Sequence, residues 1–375
     1  MYSELREVDS GRYGASSTRG HCSVATSRKR YRTSHQWNVT NFRFWRLFRL
    51  SSWRRVFPIP PEEMATFIEL HELGTSREEL TARIRTALAT ERERVVHSWT
   101  ALATDSERLK DKLKLHSQDL DKNRYKDVLP YSDSRVVLCD GRYINASEIR
   151  DTTFGPSSSS GTSAPYVACQ GPLKHTSEDF WDMVVEKGVN DVVMLTGLVE
   201  NGREKCHDYL RLACVRCLLR RSVGGVEVRE LEVKRGSAVH PVTHYQLMTW
   251  PDHGVPATLD VLDPLLDVLY RNAKLGRTTI VHCSAGIGRS GVLIALAMFA
   301  MRVRGMLSGV DGSDDGGVGS GQGEGPASVS DDDVRLCCSF VDIVGGMRRQ
   351  RAGMVQTPLQ LRFCIAAADR LLDPP

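Results

Sequence analysis

The sequence is short of acidic residues in one long stretch and of basic residues in another. Residues 10–61 contain no Asp or Glu but hold eleven Lys or Arg, so residues 1–61 carry a net charge of +9. Residues 305–334 contain no Lys or Arg but hold seven Asp or Glu, which gives −7. The formal charge of +4 over 375 residues therefore combines unlike segments, and it does not indicate a nucleic acid or another acidic partner.

Long apolar runs are absent as well. The longest, Val292–Met301, has ten residues against roughly 18 for a membrane span, which predicts a buried helix and no transmembrane segment. The ten Cys are irregularly spaced and form no disulfide framework, which indicates reduced thiols and a cytoplasmic protein. A content of 41% hydrophobic and 26% charged residues excludes a wholly disordered or fibrous chain.

Residues 1–61 form a basic, Arg- and Ser-rich extension with four open interpretations. They are a disordered tail, a transit peptide, a basic membrane or nucleic-acid patch around residues 42–46, or sequence that is not normally translated. Globular periodicity begins only near Met64, which favours the tail and the untranslated sequence, with Met64 as the start in the second case. Residues 62–375 are predicted to form one domain.

The body begins with helical patterns and continues with short strands. Thr75 and Glu78 have the spacing of a helix-capping box, and a second helix is predicted over roughly residues 105–120. Two segments, at about residues 152–165 and 305–333, are rich in Gly and Ser. We expect both to be flexible loop insertions within the domain, because added loop length costs little entropy.

The strongest chemical signal is the run TTIVHCSAGIGRSG at residues 278–291. It predicts a strand, a glycine-containing loop and the N-terminus of an apolar helix, an arrangement that binds anions. Gly286 and Gly288 permit close approach of the backbone, and Arg289 can hold two phosphate oxygens. Cys283 lies where negative charge is favoured, which predicts a thiolate nucleophile. A Walker-type loop is excluded because no Gly-Lys-Ser/Thr follows the glycines.

Residues 282–291 resemble the signature loop of the tyrosine-specific, non-receptor type protein tyrosine phosphatases, whose nucleophile belongs to a C-x5-R motif. Further blocks resemble that family in the same order, at residues 122–125, 143–146, 166–172, 179–181, 200–206, 250–256 and 356–360. The resemblance implies an α/β fold with a single domain. Its twisted mixed central sheet would be flanked by helices, with the phosphate-binding loop between a strand and a helix. No cofactor and no metal are implied.

The resemblance also implies hydrolysis of phosphotyrosine in proteins through a cysteinyl-phosphate, by a monomer. The catalytic residues would be the nucleophile Cys283, Arg289 for the equatorial oxygens, the acid and base Asp252, Gln356 for the water, Ser290 for the leaving sulfur, and His282 for the loop. The substrate-binding residues would be Tyr125, Asp127, Ser284, Ala285, Gly286, Ile287, Gly288, Gln360 and Lys205. An aromatic wall at Tyr125 makes a slot that a phosphotyrosine ring fills, whereas phosphoserine would not reach the buried nucleophile.

One block departs from the family pattern, and two other functions remain as alternatives. Tyr209 is followed by Leu-Arg where the family usually has Trp-Pro, which leaves local packing there open. An inactive phosphotyrosine-binding module is disfavoured because Cys283, Arg289 and Asp252 are all present. A dual-specificity or phosphoinositide phosphatase is disfavoured by the KNRY block and by the lack of Lys inside the signature loop.

Overall fold

An eight-stranded mixed sheet forms the centre of the protein in the computed structural model, which describes residues 75–108, 117–152, 166–311 and 329–372. The strands are β1 Arg135–Val137, β2 Tyr143–Ile149, β3 Tyr166–Cys169, β4 Asp191–Met194, β5 Val199–Glu200, β6 Arg203–Glu204, β7 Val215–Val223, β8 Val226–Arg235, β9 Ala238–Gln246 and β10 Thr279–His282. The sheet order is β1-β2-β3-β10-β4-β9-β8-β7, and β5 pairs with β6 separately. The β3-β10-β4-β9 block is parallel and the flanking pairs are antiparallel. The predicted mixed sheet is confirmed.

Helices cover both faces of this sheet in the described part of the chain. They are α1 Arg77–Glu93, α2 Val95–Arg108, α3 Ser177–Glu186, α4 Asp263–Lys274, α5 Gly288–Asp311, α6 Asp331–Cys338, α7 Phe340–Gln350 and α8 Pro358–Leu371. Val193 and Val281 point into the larger core with α5, whereas their neighbours Val192 and Ile280 point into a second core with α3. Burial on both faces is typical of parallel strands covered by helices, and it explains the apolar runs of β4 and β10.

Helix α5 lies at the centre of the larger core. Its side chains from Val292 to Phe299 are almost completely buried. The segment Gly288–Val310 contains an 18-residue window whose mean hydropathy, 1.5, would suit a membrane span, but 78% of that window is buried inside the protein. The core helix of a globular protein, apolar on all sides, has the same composition.

The first two helices differ from the sequence prediction. Helix α1 is capped by Ser76, whose hydroxyl accepts a 3.1 Å hydrogen bond from the amide three residues later. The predicted capping box at Thr75 and Glu78 is therefore wrong by one residue. Helix α2 covers Val95–Arg108 instead of 105–120, because its apolar residues repeat at helical spacing from Val95 onward. Residues 109–116 lie outside the described residues.

The second Gly/Ser-rich segment is partly helical. Helix α5 continues to Asp311 and α6 begins at Asp331, so the predicted loop boundaries at 305 and 333 are wrong at both ends. Leu307 remains buried in the core, while a side chain at Gly305 or Gly309 would meet open space. These glycines therefore cost only helix propensity, about 1 kcal/mol each. Residues 1–61, 153–165 and 312–328, which hold the predicted extension and most of both insertions, lie outside the described residues.

Candidate active site

The loop between β10 and α5 carries the predicted nucleophile. Strand β10 ends at His282 and α5 begins at Gly288, so five residues make the turn from the sheet edge into the helix. The Gly286 amide donates to Cys283 Sγ at 3.2 Å, and only 4% of Cys283 is exposed. The loop leads into the N-terminus of a 24-residue helix, the positive end of its dipole. The predicted order of strand, loop and helix is confirmed.

Arg351 holds the outer side of this loop. Its guanidinium is fully buried and donates to Gly286 O at 2.9 Å and to Ala285 O at 3.0 Å. Its other N–H groups reach Asn145 Oδ1 at 2.7 Å and Ser147 Oγ at 3.2 Å. Because the carbonyl oxygens turn toward Arg351, the loop amides are free to face an anion. Arg351 was not predicted as a site residue, since no local pattern marks a partner 65 positions from Gly286.

Gly286 adopts a conformation that other residues rarely reach. Its φ is 71°, and a Cβ built on it would lie 2.0 Å from the carbonyl oxygen of Cys169. We expect Gly286→Ala to lower kcat/KM at least about hundredfold. The backbone must move to relieve the strain of the positive φ and the clash between the new Cβ and the Cys169 carbonyl oxygen. Steady-state kinetics together with thermal unfolding measures the effect.

Gly276→Ala is the matched control for that substitution. Gly276 has a φ of 64°, but a Cβ there meets nothing within 4 Å. Alanine at Gly276 thus costs only the left-handed strain, about 1–2 kcal/mol, and kcat/KM should stay within about twofold of wild type. Equal kcat/KM values for the two variants would contradict the close-approach role of Gly286.

Arg289 lies at the base of the site and is held in place by Glu200. Its guanidinium is 2% exposed and donates to Glu200 Oε1 at 2.7 Å and to Oε2 at 2.6 Å. A third bond reaches Leu195 O at 2.8 Å. This bidentate pairing orients the fork of N–H groups toward the loop. Glu200 was not predicted as a site residue, although the block that contains it was part of the family resemblance.

Asp252 lies between two cations. Lys205 Nζ bonds to one carboxylate oxygen, and Arg289 Nη2 bonds to the other at 2.9 Å. Burial alone would raise the pKa of Asp252, but the hydrogen bonds and positive charges of Lys205 and Arg289 outweigh burial and lower it. Asp252 is therefore a carboxylate in this state. Lys205, predicted to bind substrate, pairs with the predicted acid in this structure.

These groups surround an open cavity of about 870 Å³. Of the predicted residues, it is lined by Tyr125, Asp127, Lys205, Asp252, Cys283, Ser284, Ala285, Gly288, Arg289, Gln356 and Gln360. The Ser284 hydroxyl donates to Lys205 O at 3.0 Å, so the Tyr125 hydroxyl donates to Ser284 Oγ at 2.8 Å. This bond fixes one face of the Tyr125 ring as a wall of the cavity.

The two predicted glutamines have different positions. Gln356 Oε1 lies beside the loop, where a Cβ on Gly288 would approach it to 2.9 Å. Gln360 is fully buried, and its amide bonds to Gln356 N at 2.8 Å and to Gly254 O at 3.3 Å. Gln360 therefore connects the glutamine segment to the segment that carries Asp252.

Three further predicted residues have buried side chains, Ser290, Ile287 and His282. The Ser290 hydroxyl is buried and makes no hydrogen bond, so the predicted bond to Cys283 Sγ is absent. The Ile287 side chain packs in the core, and only its backbone belongs to the loop. His282 is fully buried, and burial lowers its pKa to about 4, so the ring is neutral. Its Nδ1 lies 3.3 Å from Cys283 O, a contact with the loop backbone.

Within the described ranges, no group of three or more His, Cys, Asp or Glu side chains is arranged to hold a metal ion. Nine cysteines occur in the same ranges, and all are free thiols.

A cysteine, an arginine and an acid around an amide cradle define a cysteine-dependent phosphate-ester site. The family model described as Protein-tyrosine phosphatase matches residues 119–311, more than half of the chain. The chain is 34% identical over 281 residues to Protein-tyrosine-phosphatase PTP1 of Arabidopsis thaliana, which covers 69% of this chain and 73% of the relative. The chain belongs to the protein-tyrosine phosphatase family.

Other relatives are longer than the region they share with this chain. Tyrosine-protein phosphatase non-receptor type 4 of Homo sapiens is 37% identical over 263 residues, covering 67% of this chain and 25% of that protein. The chain spans about a quarter of the length of the first curated relatives it matches. The catalytic domain of human protein tyrosine phosphatase non-receptor type 18 matches with a TM-score of 0.61 at 28% identity, covering 76% of this chain and 99% of that one.

Proposed function

We propose that the chain hydrolyses phosphotyrosine in proteins. The observation that carries the proposal is the convergence of Cys283, Arg289 and Asp252 on one cavity at the N-terminus of α5. They supply the nucleophile, the charge stabilisation and the acid that hydrolysis of a phosphate ester requires. Membership of the protein-tyrosine phosphatase family supports the same chemistry.

The proposed reaction has two displacements at phosphorus. Cys283 Sγ attacks phosphorus, and the P–O bond to tyrosine breaks while Asp252 gives its proton to the departing oxygen. A water then attacks the cysteinyl-phosphate, Asp252 takes its proton, and the S–P bond breaks to release phosphate and the thiolate. Gln356, beside the loop, would orient this water, and Arg289 with the loop amides would stabilise the equatorial oxygens in both steps.

Substrate binding would change the state of the acid. Arg289 Nη2 is shared between Glu200 and Asp252 in the free site. An arriving phosphoryl group is a dianion that competes with Asp252 for this donor. Loss of the Arg289 bond, together with a new negative charge nearby, would raise the pKa of Asp252 and favour the protonated acid.

The proposed substrates are phosphotyrosine-containing proteins in the cytoplasm. The wall made by Tyr125 suits stacking of an aromatic ring, and Asp127 at the mouth can accept hydrogen bonds from a substrate backbone. Related solved structures are described as human protein tyrosine phosphatase non-receptor type 18 in complex with HER2 phosphor-peptides. The non-receptor names of several relatives support a cytoplasmic location.

A substrate panel tests this function. The chain would be assayed with a phosphotyrosine peptide, the same peptide with phosphoserine, and a short-chain phosphoinositide. We expect kcat/KM for phosphotyrosine to exceed the other two at least about hundredfold, because only the longer aromatic ester reaches the buried sulfur.

Each alternative function has its own outcome in this panel. Comparable hydrolysis of phosphoserine would indicate a dual-specificity enzyme, and preference for the lipid would indicate a phosphoinositide phosphatase. Tight binding of the phosphotyrosine peptide without turnover would indicate an inactive binding module. Any of these results overturns the proposed function.

A further inference from the structure

Two hydrogen-bond chains leave Arg229 and end at the catalytic loop. Arg229 lies on β8, and its side chain is 12% exposed. One terminal nitrogen bonds to His244 Nδ1 at 3.2 Å, and the other donates to Gln246 Oε1 at 3.0 Å. His244 is fully buried and Gln246 is 5% exposed, both on the neighbouring strand β9. Glu227 Oε1 also forms an ion pair with Arg229 Nη2 at 2.6 Å.

The first chain leads to the nucleophile. His244 Nε2 lies 2.8 Å from the Tyr209 hydroxyl, which lies 2.7 Å from His282 Nε2. His282 Nδ1 lies 3.3 Å from the carbonyl oxygen of Cys283. All four side chains or backbone groups are buried, so water does not compete for these bonds.

The donors and acceptors of this chain follow from its first member. A guanidinium has no acceptor, so His244 Nδ1 accepts and its proton lies on Nε2. Nε2–H then donates to Tyr209, whose own proton goes to His282 Nε2. His282 is thereby left with its proton on Nδ1, the nitrogen that faces the Cys283 carbonyl. Burial, and then the charge of Arg229, lowers the pKa of His244 well below its ordinary value, which keeps this ring neutral.

The second chain leads to the phosphate-binding arginine. Because Arg229 donates to Gln246 Oε1, the Gln246 amide nitrogen is free to donate to Thr196 O at 3.0 Å. The Thr196 hydroxyl donates to Glu200 Oε1 at 2.8 Å, and Glu200 holds Arg289 through two bonds.

We propose that Arg229 is a positioning residue for catalysis, which sets the direction of the hydrogen bonds that support the Cys283 loop and the orientation of Glu200 against Arg289. The inference rests on the proposed phosphatase function for its kinetic consequence only. Arg229 suits this task because every N–H group of its guanidinium is a donor. If the hydrogen bonds ran in the opposite direction, His244 would carry its proton on Nδ1, and that proton would find no acceptor on Arg229.

Substitutions at Arg229 separate hydrogen-bond direction from packing. Arg229→Gln offers an amide oxygen as well as an amide nitrogen, so the reversed direction becomes available at His244, with loss of the long 3.3 Å contact between His282 Nδ1 and Cys283 O at the other end. Arg229→Lys remains a donor only and should preserve the native direction. Arg220→Gln is the matched control, since Arg220 on β7 also pairs with Glu227 but has no bond to His244 or Gln246.

The direct readout is the tautomer of each histidine, measured by long-range ¹H–¹⁵N correlation NMR on protein with ¹⁵N-labelled histidine. The wild type should carry the proton of His244 on Nε2 and that of His282 on Nδ1. We expect Arg229→Gln to produce a mixture of tautomers at both rings, while Arg229→Lys and Arg220→Gln keep the native ones. Thermal unfolding of each variant identifies any loss of fold.

The kinetic effects of the three variants should parallel their effects on the histidine tautomers. We expect Arg229→Gln to lower kcat/KM for a phosphotyrosine peptide about tenfold, because small misplacements of catalytic groups have effects of this size. Arg229→Lys and Arg220→Gln should remain within about threefold of wild type. Native tautomers in Arg229→Gln, or an equal kinetic loss in Arg220→Gln, would overturn the proposal. If the wild type has no phosphatase activity, the proposed function fails, while the tautomers still decide the role of Arg229.

Discussion

Cys283→Ser is expected to abolish turnover, with kcat for a phosphotyrosine peptide at least about 10⁴-fold below wild type. The serine hydroxyl is neutral at physiological pH, so the Gly286 amide that now donates to sulfur would face an uncharged oxygen. Arg289 and the other loop amides are unchanged, so the peptide should still bind. Fluorescence anisotropy with a labelled phosphotyrosine peptide measures binding separately from turnover.

Cys206→Ser is the matched control for the nucleophile. Cys206 is 1% exposed, and burial raises the pKa of its thiol, so it remains protonated. Its kcat should stay within about twofold of wild type. Turnover that persists in Cys283→Ser, or that disappears equally in both variants, would remove Cys283 from the role of nucleophile.

The phosphate cradle could be predicted because it is contiguous in the sequence. A β-branched strand, a loop with Gly286 and an apolar helix follow one another within residues 278–301, so local propensity is sufficient to place Cys283 and Arg289. Local pattern was misleading at the end of the same helix. The glycines near 305 suggested a loop, but the core contacts of Leu307 keep the helix intact.

The groups that support the cradle could not be predicted in the same way. Glu200 lies 89 positions from Arg289, and the chain from Arg229 passes through three other segments before it reaches Cys283. These partners meet only because the parallel strands β4, β9 and β10 lie side by side. Local sequence patterns do not show which strands are neighbours in the sheet. The surroundings of a buried hydroxyl cannot be predicted from such a pattern either, and Ser290 Oγ makes no hydrogen bond in this structure.

Asp252→Asn is expected to lower kcat for a phosphotyrosine peptide by about 10²–10⁴-fold, because an amide has no proton to give to the departing phenolate. KM should not rise, since the amide retains the shape of the carboxylate and removes a negative charge beside the phosphate. With aryl phosphates of increasing leaving-group acidity, the deficit in kcat should shrink, because a stable phenolate needs less protonation. Asp267→Asn is the matched control, because Asp267 is an exposed carboxylate on α4. Its kcat should equal that of the wild type.

The pH dependence identifies the acid independently of the size of the rate loss. The profile of kcat/KM reports the groups of the free enzyme, in which Lys205 and Arg289 lower the pKa of Asp252 despite its burial. Activity that needs protonated Asp252 therefore falls as pH rises through this lowered pKa. Asp252→Asn should lose that alkaline limb. Lys205→Met removes a donor and a positive charge, so it should raise the pKa and move the limb to higher pH.

Arg203→Met is the control for this shift, because Arg203 is an exposed cation beside the same cavity without a bond to Asp252. An alkaline limb that survives in Asp252→Asn would assign the acid to another group. A limb that moves to lower pH in Lys205→Met would contradict the expected effect of the Lys205 ion pair on the pKa of Asp252.

Catalysis by protonated Asp252 also depends on substrate binding, because the arriving phosphate would take the Arg289 hydrogen bond away from Asp252. The same guanidinium would then hold the acid in its inactive, ionised form before binding and stabilise the phosphoryl oxygens afterwards.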